Sequence, residues 1–260
     1  MAIDFHNENN RMTYALRTAD PNWLAKVKEL VNPEGQYIID IGCGGGIYTR
    51  AFADMGAAIV KGVDFSLPIL TTARETSVGY PQVEFCEGNA LDTKLESNQF
   101  DTLLERALIH HITDLEACFK EAHRLLKPGG VCLIQDRTPE DCLLEGSPAH
   151  LRGYFFSAFP KLKEKEIKRR YDLETVVHAL EATGFQVEGV HKLWEVRKTY
   201  ENIEELEEDL LNRTGRSILY DLSNEELGEL VSLIVDNVKE AGLKPIIEKD
   251  RWTIWKAVKR

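Results

Sequence analysis

Residues 38–49 read IIDIGCGGGIYT, and this stretch decides the fold. Tyr37, Ile38, Ile39 and Ile41 make an apolar run of strand character. Gly42, Gly44, Gly45 and Gly46 make the turn after it, and Tyr48 to Met55 has helical character. Glycines in such a turn let the backbone approach a ligand closely, and the exposed amides at a helix start favour a polar or anionic group. An ordinary tight turn would use the same residues, so the flanking chain decides between the two readings.

Downstream, the strand and helix pattern repeats. Gly56 sits at a helix end, Ala58 to Asp64 (AIVKGVD) reads as a second strand ending in an acid, and Ser66 caps a helix to about Glu75. Val83 to Glu87 is a third strand, followed by Gly88-Asn89-Ala90, and Phe100 to Leu104 is a fourth. Thr113 with Glu116 predicts a capping box for the next helix. Lys127-Pro128-Gly129-Gly130 ends that helix, and Val131 to Gln135 is an almost wholly apolar fifth strand. Five strands alternating with helices predict right-handed βαβ units in an open, doubly wound sheet, with ligands beyond the carboxyl ends of its strands.

Upstream, Asp20 and Pro21 open a helix that places Trp23, Leu24, Val27, Leu30 and Val31 on one face. Residues 1–19 are polar and weakly patterned, the composition of a mobile or ligand-ordered lid. In the C-terminal half, Tyr154, Phe155, Phe156 and Phe159 suit a core or a pocket wall. The run 161–170, KLKEKEIKRR, suits a solvated helix face or an attraction for an anionic substrate. Asp172 caps a helix ended by Gly184, Phe185 to Val196 is a sixth strand, and Trp252 to Val258 is a last one. Between these two strands, Asn202 with Glu205 and Ser223 with Glu226 each open a helix. The expected organisation is therefore an N-terminal lid and helix in 1–35, a core in 36–137, and a helical cap forming a substrate region in 138–171 and 202–242. The remainder of the sheet falls in 172–201 and 243–260.

The chain has 260 residues, 43% hydrophobic and 29% charged, with a net charge of −11. That composition fits a soluble globular chain, and its acidity disfavours a nucleic-acid surface, which needs clustered lysine and arginine. The five cysteines are widely spaced without a CxxC pair, as packing residues in a reducing compartment would be. The opening MAIDFHNENN lacks a basic region followed by an apolar one, and no run of about eighteen apolar residues occurs, so a cytoplasmic chain with no membrane partner is expected.

The glycine turn departs from the dinucleotide fingerprint, because Ile47 stands where its third glycine belongs. Asp40-Ile41-Gly42-Cys43-Gly44-Gly45-Gly46 instead resembles the acid-preceded GxGxG of the class I S-adenosylmethionine-dependent methyltransferases. The resemblance extends to about Asp136 through Asp64, Gly88-Asn89-Ala90, the segment from Phe100 to the His110-His111 turn, and Leu125 to Gly130. It is closest to the small-molecule group related to the quinone-biosynthesis methyltransferases.

It implies a seven-stranded, mostly parallel Rossmann-like α/β sheet with a helical cap insertion. The implied cofactor is S-adenosyl-L-methionine, held by Asp40, Gly42, Cys43, Gly44, Gly46, Asp64, Phe65, Asn89, Ala90, Glu105 and Arg106. Asp64 would accept the ribose hydroxyls, Asn89 would meet the adenine amino group where the family often has an aspartate, and Glu105 and Arg106 would lie near the methionine part. The partner would be a small-molecule acceptor, and a homodimer is possible.

Catalysis would consist mainly of excluding water and aligning the acceptor, with no obligatory triad. If a base is needed, His110 comes first and Tyr14 second, although either histidine also suits a purely structural turn. No metal is expected, although Asp136 and Asp141 are the acids a metal-assisted transfer would use. A nicotinamide-dependent oxidoreductase and a non-catalytic binding module are the competing functions.

Overall fold

The structure, a computed structural model, describes residues 18–260. Tyr14 and nearly all of the expected lid lie outside the described residues. The elements begin with α1 (Pro21–Leu30), β1 (Tyr37–Ile41), α2 (Ile47–Asp54), β2 (Ile59–Asp64), α3 (Leu67–Glu75), β3 (Val83–Glu87) and β4 (Phe100–Arg106). A 3-10 turn at Ile109–His111 leads to α4 (Leu115–Leu125), β5 (Leu126–Asp136), α5 (Pro139–Cys142), α6 (Arg152–Ala158), α7 (Pro160–Lys168) and α8 (Leu173–Ala182). The chain closes with β6 (Phe185–Tyr200), α9 (Ile203–Leu211), a 3-10 turn at Ser217–Asp221, α10 (Asn224–Ala241) and β7 (Ile246–Lys259).

The seven strands form one sheet in the order β3-β2-β1-β4-β5-β7-β6. Pairings among β1 to β5 are parallel, and β7 runs antiparallel to β5, so the sheet is mixed and mostly parallel, as expected. The strand order reverses between β1 and β4, the position at which doubly wound sheets open a ligand crevice.

The chain divides into two compact units. The sheet unit comprises residues 18–136, Asp172–Leu193 and Thr253–Arg260, and the helical unit comprises Arg137–Tyr171 and Trp194–Trp252. The expected cap, 138–171 and 202–242, thus lies in a unit that also takes in the second half of β6 and the first half of β7.

In the sheet unit, Trp23, Val27, Ile38, Phe52, Val60, Leu104, Leu133 and Ile254 share one buried core. Asp20 caps α1 by accepting from Asn22 N at 2.7 Å, and its helix brings Trp23 against Tyr48 and Phe52 at 4.6 and 5.6 Å between ring centroids. The indole N–H of Trp23 donates to Gln135 at 2.7 Å, so the ring is buried without leaving its polar atom unpaired. The N-cap of α4 is Asp114, which accepts from Ala117 N, rather than the expected Thr113; a carboxylate one residue on is the better acceptor for the first free amides. Strand β5 begins earlier than expected. Leu126 pairs with Phe100, and a register shift accommodates Lys127 to Gly130 before pairing resumes at Val131.

In the helical unit, Phe155, Phe156, Leu206, Leu210, Leu230, Ile234 and their neighbours make a second core. Tyr154 and Phe159 pack against it, so the aromatic segment is core. Capping boxes at Thr138 with Asp141 and at Ser223 with Glu226 fix two helix starts, and Gly242 ends α10 at a φ of +63°. The basic run is not a plain solvated face. Lys161 and Lys165 pair with Glu226 and Asp221, while Arg169 and Arg170 pair with the fully buried Glu166.

Candidate active site

At the carboxyl edge of β1, the amides of Gly42 and Cys43 both donate to the carbonyl of Val63, at 2.8 and 3.0 Å, and lock the turn to the end of β2. Gly42, Gly44 and Gly46 take φ values of +74°, +50° and +76°, a region that favours glycine. A Cβ on Gly46 would come within 2.8 Å of the Phe85 ring, and one on Gly42 within 3.0 Å of Leu108. A Cβ on Gly44 would meet nothing within 4 Å, so this glycine faces open space.

Two acids support the turn differently. Asp40 is 2% exposed and accepts from Thr49 Oγ1 at 2.7 Å, tying β1 to the first turn of α2. Burial raises its pKa to about 7, Asp64 adds to the rise, and the Thr49 bond opposes it. Asp64 ends β2 and spans the edge of the sheet: its Oδ2 accepts from Gly44 N at 3.0 Å and its Oδ1 from Ser66 N at 2.9 Å. Burial raises its pKa also, against the backbone bonds from Ser66, Gly44 and Phe65. Ser66, whose amide donates to Asp64, stands at the N-cap of α3 without a side-chain cap bond.

Beyond β2, Phe65 is exposed on the turn into α3. Asn89 is exposed after β3, and its Oδ1 accepts from Leu91 N at 2.9 Å; Ala90 beside it is buried. Strand alternation separates Glu105 from Arg106. The Arg106 guanidinium lies 4.2 Å from the centroid of the Tyr48 ring on α2. Glu105 turns to the other face, fully buried, and accepts from the Cys118 thiol on α4 at 3.5 Å, while its Oε2 has no hydrogen-bond partner. Burial lifts its pKa to about 7.

These placements correct two expectations at the level of the side chain. Glu105 points into the α4 face of the sheet, because its strand neighbour Arg106 occupies the face turned to α2. Cys43 is buried, with its sulfur near Gly62 of β2 and its thiol donating back to the Gly44 carbonyl at 3.8 Å, so the side chain packs under the turn.

After β4, the left-handed Ala107 (φ +52°) donates its amide to Gln135 and turns the chain into the Ile109–His111 turn. There His110 Nδ1 lies 2.8 Å from Oδ2 of Asp136, the last residue of β5, and the His110 amide donates to the same oxygen at 3.3 Å. The His110 side chain is 13% exposed and Asp136 2%. The His111 ring lies 4.0 Å from that of His110 between centroids, tilted by 42°.

From sequence alone Asp136 stands out only as an acid a metal would use, and its pairing with His110 is not evident there. The available signal was its position, since an acid ending β5 neighbours whatever leaves the end of β4. Asp141 caps α5 and accepts from Arg251 at 2.6 Å, and no group of metal-ligating side chains occurs among the described residues.

The glycine turn, Asp64, Arg106 over Tyr48, and His110 with Asp136 thus share the carboxyl edge of four neighbouring parallel strands. Comparisons agree with this architecture. Residues 39–134 match the family described as methyltransferase domain.

The chain is 35% identical over 116 residues to a demethylmenaquinone methyltransferase of Bacillus licheniformis, which covers 43% of this chain and 50% of that protein. It is 28% identical over 201 residues to phosphoethanolamine N-methyltransferase 1 of Triticum aestivum, covering 76% of this chain and 37% of that protein. The chain therefore spans about half the length, or less, of these curated relatives.

Among solved structures, a candidate antibiotic-pathway methyltransferase of Anabaena variabilis matches with a TM-score of 0.68 at 24% identity, over 92% of this chain and 98% of that one. Phosphoethanolamine N-methyltransferase 2 of Haemonchus contortus, solved with S-adenosylhomocysteine, matches with a TM-score of 0.56 at 24% identity, over 91% of this chain and 52% of that one. Residues 39–134 thus match a methyltransferase domain, and the chain shares its fold with these solved methyltransferases.

Proposed function

We propose that the chain binds S-adenosylmethionine at the carboxyl edge of its sheet and transfers the methyl group to a small-molecule acceptor by in-line displacement. One observation carries the proposal: Asp64 reaches across from β2 to bond the amide of Gly44, the glycine that faces open space. An acid suited to ribose hydroxyls therefore stands directly beside a backbone that a ligand can approach. Its two oxygens offer about four acceptor sites in all, so the Gly44, Ser66 and Phe65 amides leave capacity for a ribose hydroxyl.

The remaining residues fit the same ligand. Phe65 offers an exposed ring and Asn89 a side-chain amide on the adenine side, while the amides of the turn and Arg106 lie toward the methionine side. Asp40 acts one step back, holding the turn through Thr49. Bound S-adenosylmethionine supplies an electrophilic methyl group, which leaves the chain to orient the acceptor, exclude water and accept any proton released. His110 is the base we assign.

The relatives are named for chemically different acceptors, demethylmenaquinone and phosphoethanolamine, so the proposal names the acceptor only as a small molecule. A cytoplasmic setting suits Cys43, Cys118, Cys132 and Cys142, which are buried as packing residues. No helix among the described residues is long and apolar enough to cross a membrane.

The test is to incubate the protein with S-adenosylmethionine and a panel of quinols, phenols, amines and thiols while following release of S-adenosylhomocysteine. Release that depends on one acceptor class is expected. Tight cofactor binding with no release from any acceptor would make the chain a binding module instead.

A further inference from the structure

We propose that Arg50, on α2, is a positioning residue for the amino-acid end of the cofactor. It holds the glycine turn from behind, so its loss is felt by a ligand that carries the methionine carboxylate and not by one that lacks it. This rests on the S-adenosylmethionine reading above. Arg50 is 9% exposed, and its Nη1 faces three oxygens: the Gly45 carbonyl at 2.9 Å, Thr76 Oγ1 at 2.8 Å and Ser77 Oγ at 3.3 Å. It is the fourth residue of α2, and helical side chains lean toward the N-terminus, which brings this one back over the turn that precedes the helix.

The far end of the link is fixed by α3. Thr76 Oγ1 gives its own proton to the carbonyls of Thr72 and Ala73, at 3.0 and 3.2 Å, so toward Arg50 it can only accept. Thr76 is also the C-cap of α3, the end of a helix that favours a cation. Near the start of α2 the same charge opposes that helix's dipole. Arg50 is therefore poorly placed to stabilise its own helix and well placed to join the end of α3 to the glycine turn.

The link controls a peptide plane. Gly44 and Gly46 sit at positive φ, in a segment whose glycines have wide backbone freedom. Asp64 accepts the Gly44 amide at 3.0 Å, the Cys43 carbonyl accepts the Gly46 amide at 3.0 Å, and Arg50 takes the Gly45 carbonyl between them. A Cβ on Gly46 would come within 3.1 Å of Nη1, so the guanidinium lies directly against the turn. Asp64 also serves the ribose, whereas Arg50 serves the turn alone. With the Gly45 oxygen committed to a cation, it does not turn toward the ligand's carboxylate, and the turn meets the methionine part already shaped.

The test uses 5′-methylthioadenosine, which keeps the adenosine and the sulfur of the cofactor but lacks its amino-acid end. Titration calorimetry compares it with S-adenosylmethionine and S-adenosylhomocysteine on wild type, Arg50→Met, Arg50→Lys and Thr76→Val. Arg50→Met should weaken S-adenosylmethionine and S-adenosylhomocysteine at least about tenfold and 5′-methylthioadenosine less than about twofold. Arg50→Lys should recover part of the loss, since an ammonium can still hold the Gly45 carbonyl. Thr76→Val removes the anchor while keeping the arginine, so it should show the same selectivity to a smaller degree, and it decides alone should Arg50→Met fail to fold. Equal weakening of all three ligands, or unchanged affinity for S-adenosylmethionine, in the variants that fold overturns the role of Arg50 and leaves the cofactor site standing. A wild type that binds none of the three overturns the cofactor reading itself.

Discussion

The two units bury acids in opposite ways. In the sheet unit, Asp40 and Glu105 are enclosed by strands and helices with few polar partners, and burial raises both to about 7. In the helical unit, burial also disfavours the charged form of Asp209, but Arg216, Lys198 and Arg197 outweigh it and hold the acid at about 2. Glu166, beside Arg152, Arg170 and Arg169, and Asp250, beside Arg137 and Arg152, are held well below the ordinary carboxylate range by the same excess of guanidinium over desolvation. Arg216 sits at the centre of one such network, donating to Asp209 at 2.5 Å, Glu248 at 2.7 Å and the Tyr200 hydroxyl at 2.9 Å. One unit thus tolerates nearly neutral acids in an apolar wall, and the other depends on charges that exist only as a set.

The difference is tested most severely by Arg216→Ala. It removes the most buried cation from two buried carboxylates, which keep only Arg197, Lys198 and the Tyr200 hydroxyl, so the helical unit should lose about 3 kcal/mol, the low end of the cost of breaking a buried pair. Hydrogen exchange along α10 should accelerate, while amides in β1 and β4 change little. Equal acceleration in both units would sink the idea that the network is local.

The pH response should also separate the units. Glu105 rises from 4.5 to about 7 on folding, so its contribution is fully present below about pH 4.5 and is lost as pH rises to about 7. Glu105→Gln removes that dependence and should improve the stability of the sheet unit at pH 8, relative to pH 4.5, by up to about 3 kcal/mol. Asp209 falls from 3.8 to about 2, so its contribution is present above about pH 3.8 and is lost as pH drops through 2. Urea unfolding at pH 4.5 and pH 8 reads the Glu105 effect, and a flat difference between wild type and Glu105→Gln would refute it.

The smallest effect should come from Lys165→Ala. Its pair with Asp221 at 2.5 Å is exposed, so the loss should stay below about 1 kcal/mol in the same unfolding measurement. A loss matching that of Arg216→Ala would show that the basic run, and not the buried arginines, holds the unit together.

How far the sequence disclosed these units follows from the range of the interactions involved. The glycine turn, Asp64 and the strands around them are local patterns: an apolar run, a turn and a helix start lie within a dozen residues, so they were readable in order. Caps at Asp20, Asn202 and Ser223 were readable for the same reason. The His110 and Asp136 pair joins residues 26 apart in sequence, and only the parallel pairing of β4 with β5 brings them together. Likewise Arg216 meets Glu248 across 32 residues, and Arg152 meets Asp250 from α6 to β7. Charges placed by tertiary contact have no periodic signature, which is why 161–170 resembled a solvated face although Glu166 is buried. Glu105 was misplaced for a simpler reason: strand alternation puts adjacent residues on opposite faces, so Glu105 and Arg106 never shared a site.

The carboxyl edge of the sheet unit is proposed above as an S-adenosylmethionine site read by Asp64. Titration calorimetry with S-adenosylmethionine, S-adenosylhomocysteine and NAD, on wild type and Asp64→Ala, tests it directly. One site is expected for the first two ligands and none for NAD, with a weakening of about 1–3 kcal/mol in Asp64→Ala, the scale of lost charge-assisted hydrogen bonds. Binding of NAD alone, or an affinity for S-adenosylmethionine unchanged by Asp64→Ala, would contradict it.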